Sequence, residues 1–165
     1  MNDNKNVGAR FIEPAVRLPK RKQLRLKNYD YKSNGYYFIT ICAHKGKSYV
    51  RKHKETIEKI LLSLPERFSG LRIDWYILMP DHLHMIFVFN ETKKDLSEII
   101  RTFKALVTRN TRIKFWQRNY YEHVIRNKNA LLKIREYIQN NPLVESIKFK
   151  EFYKNGSDES DPYRK

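Results

Sequence analysis

Two of the five histidines in this 165-residue chain stand as His82-Leu83-His84. Alternate residues of an extended segment share a face, so the two imidazoles point the same way, roughly 6–7 Å apart along the strand. Such a pair can bind a divalent metal if a third ligand comes from elsewhere. It can equally be two hydrogen-bonded core histidines, or two exposed at the start of a strand. A nucleophile and a further ligand can come from KIREYIQNNP at 133–142. There Tyr137 lies at the edge of a stripe made by Leu131, Ile134 and Ile138, and Asn141 follows four residues later on the same face if the helix runs that far. A phenol with a free pKa near ~10 needs a metal or a base close by before it attacks. A carboxamide oxygen beside it suits a hard cation such as Mg²⁺ or Mn²⁺. With eleven tyrosines in the chain, residue type alone does not separate Tyr137 from Tyr120 or Tyr121.

The elements that must carry these groups alternate between strand and helix. Tyr36–Ala43 is aromatic and β-branched, a strand. Ile57, Ile60, Leu61 and Leu64 fall at helical spacing, and Pro65 is expected to end that helix. Ile73–Met79 and His82–Phe89 are two strands whose connection, Pro80-Asp81, is short enough for an antiparallel hairpin. The second is apolar on both faces apart from its histidines, which marks it as central and makes unpartnered rings there costly. Leu96, Ile99, Ile100, Phe103, Leu106 and Val107 form one apolar helical stripe after Asp95, a plausible N-cap. The opposite side carries Arg101, Lys104 and Arg109. Phe115–Arg126 is aromatic and reads as irregular, and a last helix covers about 130–140, stopping before Pro142. The order predicts an α+β fold: a ferredoxin-like, RRM-like antiparallel sheet with helices packed on one face, plus a C-terminal helix carrying Tyr137.

The tails differ from this centre. Residues 1–34 read as a basic arm with the cluster Arg21, Lys22, Arg25 and Lys27 followed by Tyr29 and Tyr31. Aromatics among cations can stack on bases while the cations hold phosphates, or the tyrosines can pack on the domain. Residues 154–165 read as a polar tail, which leaves 35–153 as the expected catalytic domain. Thirty-four Lys and Arg against eighteen Asp and Glu give a formal charge of +16. That excess points to a polyanion, with nucleic acid first because phosphates draw cations through counterion release. Ribosomal and anionic membrane surfaces share the signature. No apolar run approaches the ~18 residues of a spanning helix, and the N-terminus lacks a secretory signal. The single Cys42 excludes a disulfide framework and a multi-Cys zinc site, and reads as a small buried hydrophobe. The expectation is a soluble, cytoplasmic protein.

Six segments resemble the tyrosine transposases of the single-strand insertion-sequence type, and most closely the REP-associated tyrosine transposases of bacteria. They are RKQLRLKNYDY at 21–31, YYFITIC at 36–42, MPDHLHMIF at 79–87, FK at 103–104, WQRNYYEHVIRN at 116–127 and IREYIQNNP at 134–142. The long block at 116–127 followed by YI-x-x-NP is the specific part, since HxH alone is common. The resemblance implies that His82 and His84 hold a divalent metal (Mg²⁺ or Mn²⁺), that Asn141 is a third ligand and that Tyr137 is the nucleophile. It implies binding of single-stranded or hairpin DNA, REP-like elements among them, and cleavage with formation of a 5′-phosphotyrosine that a 3′ hydroxyl can reverse. Arg21, Lys22, Arg25, Lys27, Lys104, Arg118, Tyr120, His123 and Arg126 are the expected DNA contacts, with a solvated basic surface as the alternative for many of them. His123 can instead be structural, and Trp116 is expected in the core. Such enzymes act as monomers or homodimers, near the nucleoid. A non-catalytic nucleic-acid-binding module of the same fold is the alternative; it leaves the His pair and Tyr137–Asn141 as coincidences. A metal nuclease using activated water is a third, and would need Asp81 as its acidic ligand.

Overall fold

The computed structural model describes residues 25–44 and 49–140. Arg21, Lys22, Asn141, the first part of the arm, the helix stop before Pro142 and the tail at 154–165 lie outside the described residues. Four strands, β1 (Gly35–Cys42), β2 (Leu71–Leu78), β3 (His82–Phe89) and β4 (Tyr121–Ile125), form one sheet in the order β2-β3-β1-β4. All three pairings are antiparallel. Helices α1 (Tyr49–Lys52), α2 (Lys54–Leu62) and α3 (Leu64–Arg67) separate β1 from β2, α4 (Leu96–Thr111) separates β3 from β4, and α5 (Lys128–Asn140) follows β4. The expected α+β, ferredoxin-like sheet is therefore what the chain forms.

Strand alternation divides the sheet's side chains into two cores. Tyr37, Ile39 and Ile41 of β1 and Leu83, Met85 and Phe87 of β3 bury against α2 and α4. On the other face Phe38, Ile86 and Ile125 bury against Leu131, Ile134 and Ile138 of α5. Consequently α5 lies on the face opposite α2 and α4, with the sheet between two helical layers.

Local chemistry accounts for most element boundaries. Asp95 caps α4, its carboxylate accepting from the Glu98 backbone N–H at 2.8 Å. The Met79 N–H donates to the His82 carbonyl at 2.9 Å, closing the tight β2–β3 hairpin. Two expectations are corrected. Pro65 does not end a single helix: α2 stops at Leu62, and Pro65 sits in the first turn of α3, where its missing N–H costs nothing. The stretch at 115–126 is not irregular throughout, because β4 forms within it along β1. Residues before Gly35 also join the fold, with Leu26, Tyr29 and Tyr31 packed on the larger core.

Candidate active site

Antiparallel register places one row of side chains across the sheet on the α5 side. Ile77 of β2 pairs with His84, His84 with Thr40, and Thr40 with Tyr121. The neighbouring row is Trp75, Ile86, Phe38 and His123. His82, at the entry of β3, pairs with Cys42 at the end of β1. Cys42 is half-buried there rather than fully buried, and burial raises its thiol pKa, with Asp81 adding to the rise.

The two histidines come together as their spacing requires: their ring centroids are 4.7 Å apart. Each has a partner on Nδ1. Thr40 Oγ1 lies 2.8 Å from His84 Nδ1, and Asp81 Oδ1 lies 2.7 Å from His82 Nδ1. An Nδ1–H donating to these oxygens leaves Nε2 as the lone-pair nitrogen on each ring, the tautomer a metal ligand needs. His84 is only 2% exposed. Burial, reinforced by the neighbouring His82, lowers its pKa to about 3, so its imidazole is neutral at pH 7. With Nδ1 engaged on each ring and His84 neutral, the pair fits a divalent cation through its two Nε2 atoms. Among the described residues no group of three His, Cys, Asp or Glu is placed to hold a metal, so a third donor would be of another type or come from outside them.

Tyr137 reaches the same place from α5. Its ring stands edge-on to His84 with centroids 5.7 Å apart, and edge-on to Phe38 at 6.2 Å. Phe38 in turn stacks on His84 at 5.5 Å. The helix is held by its three buried aliphatic residues and by Arg135, whose guanidinium donates twice to Asp74 of β2 at 2.7 and 2.6 Å. Thr40, Phe38 and the Asp74–Arg135 pair do not stand out in the sequence. A polar Thr inside the apolar run YYFITIC was the available signal for the first.

The expected DNA contacts divide. Lys27, Arg118 and Arg126 are exposed. Three others are committed to internal partners. Arg25 pairs with the buried carboxylate of Glu122, which also accepts from the Tyr31 hydroxyl at 2.8 Å. Lys104 donates its ammonium to the carbonyls of Gln117, Arg118 and Asn119 at 3.0, 3.3 and 3.0 Å. Burial, with Arg25 as the second cause, holds Lys104 down to about 8, so at pH 7 it is still the ammonium that donates. Tyr120 is 6% exposed, with the Arg25 guanidinium 3.7 Å over its ring. Its face is already occupied by a cation rather than open to a base. His123 is buried in the row of Phe38. Trp116 is in the core as expected.

Comparison with known proteins agrees with this arrangement. An uncharacterised protein of Haemophilus influenzae is 36% identical, the match covering 75% of this chain and 89% of that one. The REP-associated tyrosine transposase of Escherichia coli K12 is 25% identical over 114 residues, covering 68% of this chain and 69% of its own. Among solved structures, that of a REP-associated tyrosine transposase bound to a REP hairpin superimposes with a TM-score of 0.66 at 22% identity, covering 74% of each chain, and shares the fold. The family model described as IS200-like transposase matches residues 31–141, a span that holds all four strands, the His pair and Tyr137. The chain belongs to the IS200-like transposase family.

Proposed function

We propose that this transposase cleaves and rejoins single-stranded or hairpin-forming DNA through a covalent 5′-phosphotyrosine at Tyr137. The observation that carries the reading is the meeting of Tyr137 with His84 and His82 on one sheet face, two groups that are 53 residues apart in the chain between positions 84 and 137. His82 and His84 would hold Mg²⁺ or Mn²⁺, with Asn141 as the third donor. When bound, such a cation supplies charge for the phosphate oxygens as the transition state forms. The Tyr137 oxygen forms a bond to phosphorus and gives up its proton, while the bond from phosphorus to the 3′ oxygen breaks and that oxygen is released as a hydroxyl. The new phosphotyrosine keeps the energy of the cut diester, so the 3′ hydroxyl of the same or another strand can reverse the step without a nucleotide cofactor. Phe38 and the aliphatic face of α5 position the ring, which is half-buried.

The test uses a labelled oligonucleotide hairpin with an unpaired flank, Mn²⁺, and denaturing electrophoresis. Wild type is expected to give a protein–DNA adduct, and Tyr137→Phe none, with oligonucleotide binding retained. His84→Ala is expected to reduce the adduct and to lower Mn²⁺ affinity. An adduct that persists in Tyr137→Phe assigns the nucleophile elsewhere. Cutting without an adduct indicates hydrolysis, and binding without cutting a non-catalytic module.

A further inference from the structure

Resting on that reading, we propose that Trp75 is a base-stacking residue, which takes the face of one unpaired nucleobase beside the candidate metal–tyrosine centre, with Arg72 on a neighbouring phosphate. β2 pairs with β3 in step until Ile73 faces Phe87, and resumes with Trp75 facing Ile86, so Asp74 is the extra residue of a β-bulge. Unbroken alternation would put Trp75 on the face of Leu71 and Ile73, towards the larger core. The bulge turns it instead to the face of Ile86, which also carries His82, His84 and Tyr137. There Trp75 is a diagonal neighbour of His84, because its partner Ile86 lies two residues from His84 on β3. Diagonal neighbours stand ~7–8 Å apart, within reach of an aromatic side chain.

The ring does not pack under α5. It is 38% exposed and belongs to neither core. The residues around it are all engaged. Ile73 and Tyr76 pack on the larger core and Ile77 on the smaller, and the Tyr76 hydroxyl donates to Glu58 at 2.7 Å. Asp74 accepts twice from Arg135 of α5, at 2.7 and 2.6 Å. The indole is therefore carried by a backbone fixed on both sides and tied to the helix that brings Tyr137. A preorganised ring loses little entropy on stacking, and a base of any identity offers a π face. Arg72 faces Val88, two residues beyond Ile86 on β3, so the register places it one row along on the same face, where it is exposed. Among the described residues neither Trp75 nor Arg72 has a side-chain hydrogen bond, an ion pair or a ring contact. A cation in that row suits the phosphate of a nucleotide whose base lies on Trp75. The intervening Asp74 carboxylate is neutralised by Arg135 and so does not repel it.

The experiment uses the full chain and a hairpin oligonucleotide with an unpaired flank, with a series in which one abasic position is moved along that flank. The chain has two tryptophans and Trp116 is buried in the core, so oligonucleotide-dependent quenching of indole fluorescence reports Trp75. Wild type is expected to lose emission on binding, and to keep it when one particular position is abasic. Trp75→Phe, with Trp116 alone, should show no quenching. Trp75→Leu is expected to bind the intact oligonucleotide roughly 5- to 150-fold more weakly, with Trp75→Phe between it and wild type. At the position that abolishes quenching, Trp75→Leu should lose nothing further. Arg72→Ala should make the slope of log affinity against log salt shallower by about 0.7. Quenching is read on the unsubstituted chain, so it does not depend on how well a variant folds. The proposal is overturned if Trp75→Leu binds like wild type or if no single abasic position abolishes the quenching. It is overturned too if emission falls with protein concentration alone, which would put a second copy of the chain on the ring. An unchanged slope in Arg72→Ala would remove the phosphate contact from it. Binding and quenching are read independently of cutting. The Trp75 pattern without any adduct would sink the chemistry assigned to Tyr137 and leave the stacking intact; an adduct without that pattern would do the reverse.

Discussion

At the scale of single residues the site depends on what pins the imidazoles. His84 is buried and its Nδ1 faces Thr40 Oγ1 at 2.8 Å. Thr40→Val keeps the shape and removes the hydroxyl, so one tautomer is no longer favoured and a buried ring nitrogen loses its partner. Mn²⁺ affinity, measured by calorimetric titration of the full chain, is expected to fall about 10- to 100-fold while the fold is retained. An unchanged affinity would show that Thr40 does not orient a ligand. Nothing near position 84 in the sequence announces this partner. Thr40 is 44 residues upstream, and only the register of β1 on β3 brings the two together. The HxH pair, by contrast, was legible because two residues on one strand share a face whatever the rest of the chain does.

At the scale of elements, the best-read segments have an unbroken period. The strand at 82–89 and the stripe of α4 match the sequence pattern, including the Asp95 cap. β4 was missed because polar residues occupy its buried positions: Glu122 and His123 are both buried, Glu122 by virtue of Arg25 and Tyr31. Partners distant in sequence make those positions tolerable, and alternation of apolar and polar residues therefore fails there. α5 poses a different question, namely how firmly it is docked. Three aliphatic residues hold it to the sheet, against five buried residues on α4, so it is less firmly docked than α4. Its ion pair to β2 is bidentate but partly exposed, with side-chain exposures of 32% for Arg135 and 16% for Asp74. Arg135→Met keeps the stem and removes the fork. After allowance for solvent screening it is expected to cost about 1 kcal/mol. Amide exchange should quicken in α5 and not in β3, and adduct yield should fall more than oligonucleotide binding. Equal loss of both would argue that the pair supports the whole fold rather than the docking of the helix with Tyr137.

For the whole molecule, a formal charge of +16 indicates a polyanionic partner but does not say which cations meet it. The structure separates two kinds. Arg25 and Lys104 are bonded internally, to a buried carboxylate and to three carbonyls, whereas Arg118 is exposed on the segment before β4. The two kinds should respond oppositely to removal. Arg25→Ala leaves the Glu122 carboxylate, whose side chain is 2% exposed, without its cation. The cost is expected to be about 3 kcal/mol, at the low end for a buried pair because Arg25 itself remains partly solvated. For a chain of this length that is a fall of roughly 6–12 °C in Tm. Lys104→Met should destabilise in the same direction and free the carbonyls at 117–119. Neither change should alter the slope of log affinity against log salt for a single-stranded oligonucleotide. Arg118→Ala should leave Tm nearly unchanged, and loss of a true phosphate contact there should make that slope shallower by about 0.7. Thermal melts and a salt series on the same three variants decide the matter. If Arg25→Ala flattens the salt slope without lowering Tm, its pairing with Glu122 gives way to DNA in the complex, and the internal assignment of this cation fails.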